Sequence, residues 1–175
     1  FIETYPKDHR MDYVHYLLGL CYYENIEGEK KDLQPLIIAL KEFNFVIENY
    51  PSTDFALDAK FKIGLINDVL ASKEMYLGRH YIKKEKWIPA INRFKNILNN
   101  YETTIYTEEA IHRLVEIHYK IGLELEAKKY ASLLGYNYLS SEWYKKSYKI
   151  FNKKYQTQKT IKEKSSLIKK FKNLF

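Results

Sequence analysis

One pattern recurs three times along the 175 residues, and it leaves few folds open. Gly19-Leu20-Cys21-Tyr22 is followed by Ala39, Phe43, Val46 and Tyr50-Pro51. Gly78-Arg79-His80-Tyr81 is followed by Ala90, Phe94, Ile97 and Tyr101. His118, Gly122, Ala127, Leu134 and Tyr138 make a fainter third copy. Small, aromatic and aliphatic residues at such offsets predict two antiparallel helices per unit. Two helices approach closely where the facing residue is small, and Gly19, Gly78, Ala39, Ala90 and Ala127 suit such crossings. Phe43 and Phe94 are large enough to fill the space between pairs, with Tyr81 packing beside them. Each pair leaves an apolar face bare until a neighbour covers it, so the pairs must stack.

These offsets resemble the tetratricopeptide repeat, which implies an all-α superhelical solenoid (an α-α superhelix). Read against that template of about 34 residues, residues 1–10 are the remnant of an earlier repeat. Repeats follow at about 11–51, 71–104 and 108–139, with an additional helix over 54–70. The span from Gly19 to Ala39 is 20 residues and that from Gly78 to Ala90 is 12, so the first repeat carries an insertion between its helices. Such an insertion reads as a tolerated surface loop. Pro35 suits a first helical turn, and Ser52-Thr53-Asp54 offers an N-cap. No proline interrupts the stretch from Phe55 to Lys84, which predicts one long helix with a break near Asn67-Asp68 or Gly78 left open. Gly135, Asn137 and Ser140-Ser141 are expected to close the last repeat. Residues 140–155 predict a capping helix and 156–175 a Lys-rich amphipathic tail.

Charge is unevenly placed. Residues 140–175 hold eleven Lys against Glu142 and Glu163, whereas the other 139 residues hold 18 basic and 20 acidic side chains. A body close to neutral argues against a nucleic-acid-binding domain. The tail reads as a solvated end, a basic helix on an anionic membrane surface, or a segment docked on an acidic partner. Cys21 is the single cysteine, so no disulfide forms within the chain. It lies among apolar neighbours, which predicts a buried thiol. No apolar run approaches the roughly 20 residues that span a bilayer. The opening Phe1-Ile2-Glu3-Thr4-Tyr5-Pro6 lacks Met and repeats the pattern of Ile47-Glu48-Asn49-Tyr50-Pro51, so the chain is expected to be cut from a longer precursor.

No catalytic, metal-binding or cofactor-binding arrangement emerges. His9, His15, His80, His112 and His118 make no same-face pair with an acid as third ligand, and His112 and His118, six apart, read as packed or solvated histidines. Glu108-Glu109 suits a helix N-terminus. The chain is therefore expected to bind rather than catalyse. On the repeat template, the first helix of each pair lines a groove. That assigns Tyr16, Leu20, Tyr23 and Glu24 in the first repeat, Met75, Arg79, Ile82 and Lys83 in the second, and His112, Glu116, Tyr119 and Lys120 in the third. Tyr, Met and Arg are frequent at interfaces. Chaperone-binding repeats grip a terminal carboxylate with Lys and Asn. Tyr16, Leu20, Met75 and Arg79 stand in those places here, which argues against that ligand.

A closer resemblance runs from residue 36 to 143. Ala39-Leu40-Lys41-Glu42-Phe43 leads to Tyr50-Pro51-Ser52-Thr53-Asp54-Phe55-Ala56 and Asp58-Ala59-Lys60. A long helix then enters Glu74-Met75-Tyr76-Leu77-Gly78-Arg79-His80-Tyr81, followed by Ala90-Ile91-Asn92-Arg93-Phe94, Tyr101-Glu102-Thr103-Thr104 and Glu109-Ala110. Asn137-Tyr138 and Trp143-Tyr144 continue it. This succession resembles the BamD (ComL) family of outer-membrane-assembly lipoproteins. The resemblance implies a non-enzymatic scaffold at the periplasmic face of the outer membrane of a Gram-negative bacterium, held by an N-terminal lipid. Its implied partners are the periplasmic domains of the central β-barrel assembly protein, the accessory lipoproteins of that complex, and unfolded outer-membrane protein clients. By position, Arg93 is the implied charged contact to the barrel protein. Two alternatives stay open at this point: another periplasmic repeat adaptor, acting in the envelope or in cell division, and a cytosolic co-chaperone or regulator.

Overall fold

Among the described residues, apolar side chains at helical spacing close into helices. The computed structural model describes residues 2–24 and 32–152. Among these, seven helices follow one another: α1 Met11–Glu24, α2 Gln34–Asn49, α3 Asp54–Lys83, α4 Trp87–Asn100, α5 Thr107–Lys120, α6 Glu124–Asn137 and α7 Glu142–Phe151. No strand occurs among the described residues. The fold is all-α and built of tetratricopeptide-like helix pairs. Two compact units divide it, Phe1–Thr107 and Glu108–Phe175. The insertion between α1 and α2 and the tail after Asn152 lie largely or wholly outside the described residues.

In the first unit α1 packs on α2, α2 on α3, and α3 on α4. Leu36, Ala39, Phe43, Ala59, Ile66 and Leu70 form a buried cluster, with Tyr16, Leu20 and Ile63 packed against it. The glycines explain how the helices come so close. A Cβ at Gly19 would lie 2.6 Å from the Phe43 ring, and one at Gly78 would lie 2.5 Å from the Phe94 ring. Both phenylalanines are fully buried. The same glycine-under-phenylalanine contact thus recurs in both pairs.

Helix α3 runs 30 residues without interruption through Asn67-Asp68 and Gly78. Thr53 caps it, its hydroxyl accepting from the Ala56 N–H at 3.2 Å. Pro35 stands in the first turn of α2. Glu85, in the short α3–α4 turn, is the one non-glycine among the described residues with positive φ, at 57°.

In the second unit α5 is buried through Ala110, Leu114, Val115 and Ile117, and α6 through Ala127 and Leu134. His118 packs on Tyr130 at 5.2 Å, and its Nδ1–H donates to the Leu114 carbonyl at 2.7 Å. Gly122 makes the α5–α6 turn with φ of 84°. Gly135 does not close a repeat as expected. It lies inside α6, where a Cβ would meet the Tyr144 ring at 2.7 Å. Cys21 is a second correction, because it is exposed. It turns with Val14, Leu17 and Leu18 toward an open cleft beside Ile2 and Thr4, while α2 packs on another side of α1.

Candidate functional site

The expected groove residues fall into three groups once placed. In the first unit, α1 and α3 are joined by a polar and aromatic seam. The Tyr16 hydroxyl donates to Asp58 at 2.5 Å, and its ring lies 5.2 Å from Phe55. Burial, with Asp58 beside it, pushes the Tyr16 phenol up to about 12. Lys62 sits 5.1 Å over the Tyr23 ring. Leu20 is half-buried against the core, and Glu24 is exposed. On the α2 side, the His15 Nδ1–H donates to Glu42 at 2.6 Å, and both groups are largely buried. The seam therefore engages Tyr16 and Tyr23 inside the unit.

The second group lies on α3 and α4. Met75 must be corrected: it is 1 % exposed and packs the interior, because it falls on the same α3 face as Ala71 and Gly78. Arg79 and Lys83 are exposed, and Ile82 is half-buried. Arg93 is half-exposed, and its Nη1 donates to both oxygens of Glu74, at 3.2 and 3.3 Å. The pair lines an open cleft with Tyr81, Ile88, Pro89, Asn92 and Asn96. Ile88 is 74 % exposed at the rim of this cleft. Among the described residues the other donors of the Arg93 guanidinium are unused. Nothing in the sequence linked Arg93 to Glu74, which stands 19 positions away on another helix.

The third group joins α5 to α7. His112 also requires correction. It is 3 % exposed, stacks on Trp143 at 5.2 Å, and shares hydrogen bonds with the Ser147 hydroxyl at 2.8 Å and Glu116 at 3.3 Å. It packs because it points at the neighbouring helix, not at solvent. Arg113 binds Glu116 at 2.5 Å and Glu109 at 3.1 Å. Burial opposes the Glu116 charge, yet the bonds from His112 and Arg113 outweigh it and hold that carboxyl down to about 2. Tyr119 meets Phe151 edge-on at 5.4 Å, Lys120 is exposed, and Ser141 donates to Glu108. Ser147, fully buried, and Arg113 are the members of this network that sequence reasoning missed.

All eight expected packing residues occupy interior or half-buried positions: Gly19, Ala39, Phe43, Gly78, Ala90, Phe94 and Ala127 are buried, and Tyr81 is half-buried. Among the described residues no three His, Cys, Asp or Glu side chains gather in a way that could hold a metal ion. No described helix is long and apolar enough to cross a membrane.

Comparison with known proteins adds a lineage to this geometry. A family profile described as outer membrane lipoprotein (YfiO) matches residues 1–134. A protein of Rickettsia prowazekii named outer membrane protein assembly factor BamD is 44 % identical over 156 residues, covering 89 % of this chain and 62 % of that protein. The protein of the same name from Caulobacter vibrioides is 41 % identical over 152 residues, covering 87 % and 50 %. One from Xylella fastidiosa is 26 % identical over 155 residues, covering 83 % and 53 %. The chain thus spans half to three-fifths of the length of these relatives.

Proposed function

The chain belongs to the outer membrane lipoprotein family YfiO, and from that premise we propose that it is a non-enzymatic scaffold in the assembly of outer-membrane β-barrel proteins. The observation that carries this reading is the 44 % identity, over 89 % of the chain, to a protein named as an assembly factor. Stacked helix pairs serve such a role because each adds rigid surface without any need for catalytic groups. We place the protein at the periplasmic face of the outer membrane, a reading whose coarser part, the outer membrane, the family description supports. Its principal partner is the set of periplasmic domains of the barrel-assembly protein, alongside accessory lipoproteins and unfolded barrel clients.

Within this reading the Arg93 cleft is the contact for the barrel-assembly protein. Glu74 holds the guanidinium by one nitrogen, which orients the planar group while leaving donors for a partner carboxylate. Exposed Ile88 supplies apolar area beside it. Binding of the purified chain to the isolated periplasmic domains tests this. Arg93→Ala should weaken the complex by roughly tenfold with helical content unchanged. An unaltered chain that forms no complex would refute the assignment of partner. A complex indifferent to Arg93→Ala and Ile88→Ser would move the contact elsewhere, with Arg79 and Lys83 next to be substituted.

A further inference from the structure

Four glycines lie inside helices of the described residues, and three of them sit under an aromatic ring: Gly19 under Phe43, Gly78 under Phe94 and Gly135 under Tyr144. Gly64, within α3, is the exception, because nothing lies within 4 Å of a Cβ built there. Glycine inside a helix costs stability relative to alanine, and among the described residues no close approach offsets that cost. Its surroundings are those of a helix crossing without the second helix. Leu57 and Phe61 stand on the same side of α3 and are 71 % and 64 % exposed. The offsets of Leu57-Phe61-Gly64 recur fourteen residues on as Ala71-Met75-Gly78. Fourteen residues return to within about 40° of the same side of a helix. The second set is buried, and the Phe94 ring of α4 covers Gly78. The first set has no such cover.

The charges beside the bare set are symmetric about Gly64. Lys60 stands four residues before it and Asp68 four after, the one exposed and the other half-buried. A two-fold axis through Gly64 therefore carries Lys60 of one chain onto Asp68 of another, in both directions. The same axis brings Phe61 of each chain beside the other's Gly64, where the missing side chain leaves room for a ring. Knob, notch, cation and anion all lie along one side of one helix. A foreign partner would have to match each of them separately, whereas a second copy of this chain matches them by symmetry. Exposed ion pairs contribute little affinity, so Lys60 and Asp68 fix register and direction while Phe61 and Leu57 supply buried apolar area.

We propose that two copies of the chain pair through the first half of α3, crossing antiparallel at Gly64. This goes beyond the scaffold assignment and does not rest on it. One helix against one helix buries less than a standard interface, so the pair is weak, with a dissociation constant of about 10–100 µM. Sedimentation velocity of the full chain from about 1 to about 300 µM tests it. The mean mass should rise from that of one chain toward that of two. Phe61→Ser should raise the dissociation constant by about tenfold or more. Lys60→Glu should raise it about fivefold, because the reversal acts twice, and adding Asp68→Lys should restore it to within about twofold. Leu125→Ser, at an exposed apolar position in the other unit, should change nothing. Circular dichroism checks that each variant folds. A chain that stays monomeric throughout would overturn the proposal. So would dimers indifferent to Phe61→Ser, or a charge exchange that fails to restore pairing. A monomeric chain whose Phe61→Ser variant loses binding to the periplasmic domains of the barrel-assembly protein would give this face to that partner instead.

Discussion

Gly19 and Gly78 do the same thing in two places, and the reason is a distance. A methyl group at either would sit within 2.6 Å of a fully buried phenylalanine ring. Gly78→Val is therefore expected to destabilise the chain by about 1–3 kcal/mol in urea unfolding. Gly64 provides the contrast, because nothing lies within 4 Å of a Cβ built there. Gly64→Ala, in an exposed stretch of α3, should stabilise by about 0.5–1 kcal/mol in the same measurement. Glu116 sets a pH dependence. Its carboxyl falls from the usual 4.5 to about 2, with burial resisting and the His112 and Arg113 bonds prevailing. A carboxylate depressed in the folded state contributes fully above its unfolded value and loses that contribution as pH falls through the folded one. Thermal stability should thus decline between about pH 4.5 and pH 2, and Glu116→Gln should flatten that limb. The group is half-exposed, so solvent screening keeps the effect below what the shift alone suggests.

Helices depend on their ends and on what they are pinned to. The Thr53 hydroxyl satisfies one of the orphan donors at the start of α3. Thr53→Ala should cost about 1 kcal/mol by urea unfolding, with the 30-residue helix otherwise retained. Helix α7 has ten residues and little propensity of its own to persist, so its contacts to α5 and α6 decide its stability. Ser147 bonded to His112, and Trp143 stacked on it, are the chief pins. Ser147→Ala removes a partner from a buried imidazole and should destabilise by about 1–3 kcal/mol. Hydrogen exchange localised to residues 142–151 would register the loss.

Across the whole chain, stability is distributed over two units with one tryptophan in each, Trp87 and Trp143. Repeat folds gain most of their energy between neighbours, so damage in one place need not reach another at full strength. Trp87→Phe leaves Trp143 to report the second unit, and Trp143→Phe leaves Trp87 to report the first. Ser147→Ala is expected to lower the unfolding midpoint read by Trp143 more than the one read by Trp87. Coincident shifts at both probes would mean that the chain unfolds as a single cooperative block.

The sequence by itself determined the helices, because spacing and punctuation are local properties. The α4 bounds, the Thr53 cap and the Gly122 turn follow from residues near one another in the chain, and the glycine and alanine crossings from offsets that the sequence repeats. It also pointed to the family through ordered runs such as Ala-Ile-Asn-Arg-Phe at residues 90–94. What only the tertiary structure decided was which side of each helix meets another. Met75 and His112 carry interface-prone side chains, yet both point inward. Cys21 carries a core-prone one and points outward. The Arg93–Glu74 pair and the Ser147–His112 pair span 19 and 35 residues, and separations of that size are set by how helices pack, not by any local signal.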